Sequence, residues 1–226
     1  MGVFISNNFL WIMLSISALF TMIWLLLLHE RLRMTWYVAI PIAVLHVIYG
    51  VFCVRVFARM EGAGSGAMSL FGAVFLMPVA YYIGARLTKR SAADVFDVFT
   101  IPLVFTLMLA RVNCLHAGCC LGKLIGSTGM RWPTRETELI FYLLFLAIII
   151  PKVRKDKTHG TAYPIYMVAY GVFRLIIEFF REASTNTLFH LSHVWAIAAF
   201  ALGISVYIEL KNRSIKREVN EIKRRK

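Results

Sequence analysis

Apolar residues fall into seven long runs, near residues 9–28, 36–58, 67–87, 95–112, 136–151, 161–180 and 191–209, divided by short stretches where charge, glycine and proline collect. A helix needs about 20 predominantly apolar residues to cross about 30 Å of hydrocarbon, so each run predicts a transmembrane helix. The first run has no Lys or Arg before it and is followed by His29-Glu30-Arg31 rather than by the small residues of a cleavage site. It therefore predicts a retained helix, not a signal peptide. The expected fold class is an all-α polytopic membrane protein of seven transmembrane helices, with residues 1–210 as one domain and 211–226 as a basic tail.

Composition narrows the class further. The 226 residues are 59% hydrophobic and 16% charged, whereas a soluble domain carries charge on about a quarter of its length. A single aqueous core does not hide that much apolar surface, and the apolar content also excludes disorder. The formal charge of +13 would suggest a nucleic-acid partner in a soluble protein, but its distribution explains it without one. Of the 25 Lys and Arg, seventeen lie in alternate connections and the tail, six in the other connections and two, Arg55 and Arg174, inside helices. The positive-inside rule then predicts an N-terminus outside and a C-terminus in the cytoplasm. The tail from Lys211 reads as a positive-inside anchor or as a basic segment lying along anionic lipid.

The outward positive charges lack that topological reason, and most of them fall between helices four and five. Residues 111–135 hold Arg111, Lys123, Arg131 and Arg135 together with Gly118, Gly122, Gly126 and Gly129. Glycines supply positive-φ positions to a turn-rich loop, and such a loop is a cradle for a lipid phosphate. Helix six contributes Arg174, Glu178 and Arg181, whose spacing of four and three puts them on one helical face. Two readings follow: a self-neutralised structural ion pair, or a carboxylate that positions Arg174 to bind an anion through a fork of hydrogen bonds. Glu138 and Asp97 lie near expected interfaces that water reaches. Cys53 reads as a small buried hydrophobe. Cys114, His116, Cys119 and Cys120 admit three readings. They are a zinc site, although adjacent cysteines point apart unless the turn is special; a redox or disulfide cluster on the oxidising side; or small residues packing a crowded glycine turn.

These residues resemble a family. Ala110-Arg111-Val112-Asn113-Cys114-Leu115-His116-Ala117-Gly118-Cys119-Cys120-Leu121-Gly122 is similar to the signature of the bacterial prolipoprotein diacylglyceryl transferases, Gly-Arg-x-Gly-Asn-Phe-x-Asn-Gly-Glu-x-x-Gly, in a divergent variant where cysteines replace the Asn and Glu. Pro133, Thr134 and Glu138 match its His-Pro-Thr-Gln-Leu-Tyr-Glu segment. Tyr170-Gly171 through Arg174, Glu178, Phe179 and Arg181 match its Tyr-Gly-x-x-Arg-x-x-x-Glu-Phe-x-Arg segment. The resemblance covers roughly residues 64–203, and seven helices with an outside N-terminus is that family's topology.

The resemblance implies an enzyme of the bacterial plasma membrane that moves a diacylglyceryl group from phosphatidylglycerol, or another anionic phospholipid, to the cysteine thiol of a prolipoprotein lipobox. No metal or dissociable cofactor is required. The candidate catalytic residues are Arg111, His116, Glu138, Arg174 and Glu178, with Arg111, Gly118, Cys119, Gly122, Arg131, Arg174 and Arg181 at the substrate. The family's His-Gly-Gly segment on helix three aligns with Ser69-Leu70-Phe71-Gly72-Ala73, so its histidine is Phe71 here. His116 is the replacement base that the sequence offers. A lipid transferase with another acceptor, a membrane thiol oxidoreductase built on Cys114, Cys119 and Cys120, and a non-catalytic lipid-binding scaffold are the competing readings.

Overall fold

The computed structural model describes residues 2–64, 66–182 and 190–225, with side chains over 8–64, 66–182 and 190–213. All seven apolar runs are helices: α1 Gly2–Leu27, α2 Ala39–Met60 behind a short 3-10 turn at Trp36–Val38, α3 Leu70–Leu87, α4 Ala92–Ala117, α5 Thr134–Arg154, α6 Ala162–Glu178 and α7 Leu191–Arg225. Among the described residues there is no strand, only two isolated bridges. Five helices, α1, α2, α3, α4 and α7, are long and apolar enough to cross a membrane. The other two depart for reasons visible in their sequences. Arg135, Glu136, Glu138, Lys152 and Arg154 crowd the ends of α5, and α6 is 17 residues long.

Of the boundaries that differ from the sequence expectation, two matter for the site. Helix α4 continues to Ala117, so Arg111, Cys114 and His116 stand on its last turns rather than in a loop. Helix α6 stops at Glu178, so Arg181 is not on its face. The chain there tightens into i→i+3 hydrogen bonds, Phe179 N to the Ile176 carbonyl and Phe180 N to the Ile177 carbonyl. It then pairs with the α4–α5 connection: Lys123 N donates to the Phe180 carbonyl and Glu182 N to the Leu121 carbonyl. Backbone groups released at a helix end need such partners. The basic tail expected over 211–226 falls mainly on side chains from Ser214 to Lys226 that lie outside the described residues, while the backbone of α7 runs unbroken to Arg225.

Helix α4 is the central element, packed by α1, α3, α5 and α6. Its Pro102 has no N–H for the carbonyl four residues back, which is Val98. Trp24 of α1 donates its indole N–H to that carbonyl at 2.9 Å. Helix α3 repeats the device: Pro78 frees the Val74 carbonyl, and the Tyr163 hydroxyl of α6 donates to it. Proline is tolerated in apolar helices where a neighbour supplies the missing donor, and here that need locks pairs of helices together. Helices α6 and α7 approach through Gly171 and Gly203. A Cβ on Gly171 would stand 2.8 Å from the Ala196 carbonyl oxygen and one on Gly203 2.9 Å from Val168. Small residues at such crossings let backbones meet.

At one end of the bundle the α1–α2 and α5–α6 connections converge on Asp97, in the second turn of α4. Its carboxylate accepts from Thr158 Oγ1 at 2.6 Å, Gly160 N at 2.7 Å, Ala162 N at 3.0 Å and Arg31 Nη2 at 3.1 Å. Arg31 also reaches Asp94 at 2.9 Å and Asp156 at 2.6 Å. Asp97 is fully buried, which corrects the expectation that water reaches it. A buried carboxylate persists where donors satisfy it, and four do.

Candidate active site

The other end of the bundle carries a chain of charges. Arg111 projects from the last turns of α4, Glu138 from the first turns of α5, and Arg174 and Glu178 from the end of α6. Arg111 Nε pairs with Glu138 Oε2, and Arg174 Nη1 donates to Glu138 Oε1 at 2.6 Å. Arg174 Nη2 meets Glu178 Oε2 at 2.9 Å, and Arg181 Nη1 meets the same oxygen at 3.4 Å. Arg111, Glu138, Arg174 and Glu178 are all buried. The expectation that water reaches Glu138 is thereby corrected: it is sealed between two guanidiniums from different helices. Three guanidiniums against two carboxylates leave one positive charge in excess.

Aromatic residues wall this network. The Phe71 ring lies 5.6 Å from the Arg174 guanidinium and meets Tyr170 edge-on at 5.8 Å. The hydroxyls of Tyr142 and Tyr170 are buried without a hydrogen-bond partner among the described residues. Sequence reasoning passed over Tyr142, which stands one helical turn beyond Glu138. That i, i+4 spacing was the available signal.

The α4–α5 connection closes the site. Gly118 ends α4 at φ +67°, and Gly126 and Gly129 also have positive φ, as expected of turn glycines. Gly122 does not: its backbone is ordinary, and a Cβ there would collide with the Trp132 carbonyl. Its role is close approach, because this segment bridges to Arg181. Arg131 Nη1 binds the Gly122 carbonyl at 3.0 Å and Glu182 Oε2 at 2.6 Å. That contact ties the α4–α5 connection to the residues after α6. His116 stacks on Phe9 of α1 at 4.1 Å.

The cysteines are free thiols. Cys120 has φ +59°, the special turn that lets adjacent cysteines face one centre. The Sγ atoms of Cys114, Cys119 and Cys120 all lie within 4.8 Å of one another. Arg111 Nη1 is 4.0 Å from Cys114 Sγ, so the thiols adjoin the charge chain. The Cys120 thiol is pushed down to about 4, first by a hydrogen bond from Cys114 and then by the guanidiniums of Arg181 and Arg111.

The structure thus brings Arg111, Glu138, Arg174, Glu178 and Arg181 into one network, with Cys119 and Gly122 beside it and Arg131 behind them. Arginines fixed by carboxylates, with one further positive charge on the half-buried Arg181, can hold a phosphate and stabilise it as it leaves. A cavity of about 870 Å³ lies elsewhere, near the opposite end between α2 and α3. It is almost wholly apolar, with one buried polar pair, His46 Nε2 to the Tyr81 hydroxyl at 2.9 Å.

The chain is similar to curated proteins named phosphatidylglycerol–prolipoprotein diacylglyceryl transferase. The one from Clostridium tetani is 23% identical over 163 residues, which is 66% of this chain and 65% of the relative. That from Idiomarina loihiensis is 33% identical over 133 residues, covering 54% and 50%. That from Shigella boydii is 25% identical over 195 residues, covering 69% and 67%. The chain spans about half to two thirds of the length of the relatives it matches. The matching family model extends over residues 11–209, from α1 through α7 and across every member of the charge network. The protein belongs to the prolipoprotein diacylglyceryl transferase family.

Proposed function

We propose that this protein is a bacterial plasma-membrane transferase that moves the diacylglyceryl group of phosphatidylglycerol to the lipobox cysteine of a prolipoprotein. The observation that carries the reading is the chain Arg111–Glu138–Arg174–Glu178–Arg181, buried over its first four members, with the half-buried Arg181 as its excess guanidinium. In this reading all seven helices cross the bilayer, with α5 and α6 shielding their charges against the other helices. The N-terminus is outside, residues 1–210 form the membrane domain and the tail from Lys211 is cytoplasmic. The charge chain then lies at the outer end.

The phosphate of the lipid sits against Arg111 and Arg174, with Arg181 and Arg131 at its rim and Gly118, Cys119 and Gly122 shaping the floor. The acceptor sulfur attacks the glyceryl carbon, a C–S bond forms, the C–O bond to phosphate breaks and glycerol 1-phosphate leaves. Charge grows on the departing phosphate, and guanidiniums held in place beforehand stabilise it. Glu138 and Glu178 hold those guanidiniums in orientation. The thiol proton goes to a base on the outer rim, and His116 is the titratable group the sequence offers there.

Labelled phosphatidylglycerol incubated with the purified protein and a lipobox peptide tests this directly. A thioether-linked diacylglyceryl peptide is the expected product, and it disappears in Arg174→Ala and Glu178→Ala proteins that remain folded. Wild-type turnover by either variant would remove the clamp assignment. Turnover that depends on thiol redox state and survives Arg174→Ala would favour the oxidoreductase.

A further inference from the structure

We infer that Cys114, Cys119 and Cys120 form a three-thiolate site for one zinc-class cation, whose fourth position takes the acceptor thiol. The occupant of that fourth position rests on the transferase reading above; the metal site itself does not.

The local fold builds the site. Cys114 stands on the last turn of α4, Gly118 turns the chain out of the helix at φ +67°, and Cys120 turns it back at φ +59°. The result is three sulfurs all within 4.8 Å of one another. A zinc ion with bonds of about 2.3 Å to tetrahedral thiolates holds its sulfurs about 3.8 Å apart. The sulfurs therefore need to close by an ångström or less.

The frame around them is tied independently of any metal. Arg135 Nη1 lies 3.5 Å from the Cys114 carbonyl and 3.4 Å from the Cys119 carbonyl as donor to both, and Thr134 Oγ1 donates to the Cys120 carbonyl at 3.4 Å. Such outer contacts orient ligands for a metal. Charge also fits. Three thiolates on a dication leave one negative charge, and Arg111 stands 4.0 Å from Cys114.

Exposure decides the kind of site. Cys119 is exposed while Cys114 and Cys120 are half-buried, so the cluster opens on one side. The cation-ligating group among the described residues has three members. Three protein ligands with a position left open is the arrangement of catalytic zinc, whereas structural sites are closed by four.

Such a centre gives this chain, which carries Phe71 where the family has its histidine, a second means of ionising the acceptor. A free thiol with pKa about 8.5 is mostly protonated at neutral pH, and both carboxylates of the site are engaged by arginines. A thiol bound to the cation gives its proton up to the rim base, His116, and remains as a metal-held thiolate. That sulfur then attacks the glyceryl carbon as the C–O bond to phosphate breaks. No group is oxidised or reduced.

The experiment is a Cd2+ titration of the reduced, chelator-treated, full-length protein in detergent, read by thiolate-to-metal charge-transfer absorption, with elemental analysis after Zn2+ loading. One equivalent per chain is expected, and Cys119→Ser or Cys120→Ser should bind at least about ten-fold more weakly while melting like wild type. Arg174→Ala should keep full metal stoichiometry and lose lipid turnover. Uptake no greater than that of a variant with all three cysteines replaced by Ser, or formation of a disulfide with no metal bound, overturns the site. One equivalent bound together with turnover that chelation leaves unchanged overturns the open-position role. One equivalent bound with no lipid turnover under any condition upholds the metal site and sinks the transferase reading instead.

Discussion

Glu138 joins two arginines that the chain keeps 63 residues apart, Arg111 and Arg174. Replacing it with Gln keeps the shape and removes the charge, which leaves two buried guanidiniums facing each other. Breaking a buried pair by removing one partner costs about 3–5 kcal/mol. Glu138→Gln should therefore lower the unfolding temperature in detergent sharply and abolish turnover. A variant that melts with wild type would mean that water screens the network. At this scale the sequence was legible where partners are local. Arg174 and Glu178 announce themselves by i, i+4 spacing, and the structure pairs them. Glu138 looked peripheral because its partners arrive from two other helices, and no periodicity within α5 encodes them.

Prolines carry the information at the level of elements. Pro102 frees the Val98 carbonyl and Trp24 of α1 caps it at 2.9 Å. Leaving a buried acceptor unpaired costs about 1–3 kcal/mol, so Trp24→Phe should destabilise the protein by that amount. Pro102→Ala restores a backbone N–H to the same carbonyl. In that background Trp24→Phe should cost less than about 1 kcal/mol beyond its lost packing, and a double-mutant cycle of unfolding free energies measures the coupling. Equal penalties in both backgrounds would show the indole bond to be idle. All seven helices were legible from apolar length, because crossing hydrocarbon imposes a minimum run. Their ends were not. Helix α4 outran its apolar stretch by five residues because Arg111 and Cys114 find partners from other elements, and α6 stopped early because the α4–α5 connection takes up its backbone groups.

For the whole molecule, charge placement and tertiary contact agree on which connections share an end. Arg31, Asp94, Asp97 and the segment 156–162 meet in one cluster, and they lie in or beside the set of connections richest in Lys and Arg. The proposed topology places that cluster in the cytoplasm and the charge chain outside. A reporter fused after Lys226 should read as cytoplasmic and one inserted at Ser127 as external. Both reporters on one side of the membrane would break the seven-span arrangement.

The sequence by itself determined the membrane class, the number of helices, the family and the identity of the arginines and carboxylates, because hydrocarbon length and the expense of intramembrane charge leave marks on a linear chain. Only the tertiary structure decided that Glu138 is the bridge, that Asp97 is a sealed hub and that Gly122 serves space rather than φ. It also decided that the sulfurs of Cys114, Cys119 and Cys120 come within 4.8 Å of one another, since the turn at Cys120 is a backbone conformation no residue pattern here announces. Contacts between helices depend on where each rotates and ends. Those choices are made by the neighbours that satisfy freed carbonyls, buried charges and close backbones, and the one-dimensional pattern holds no record of them.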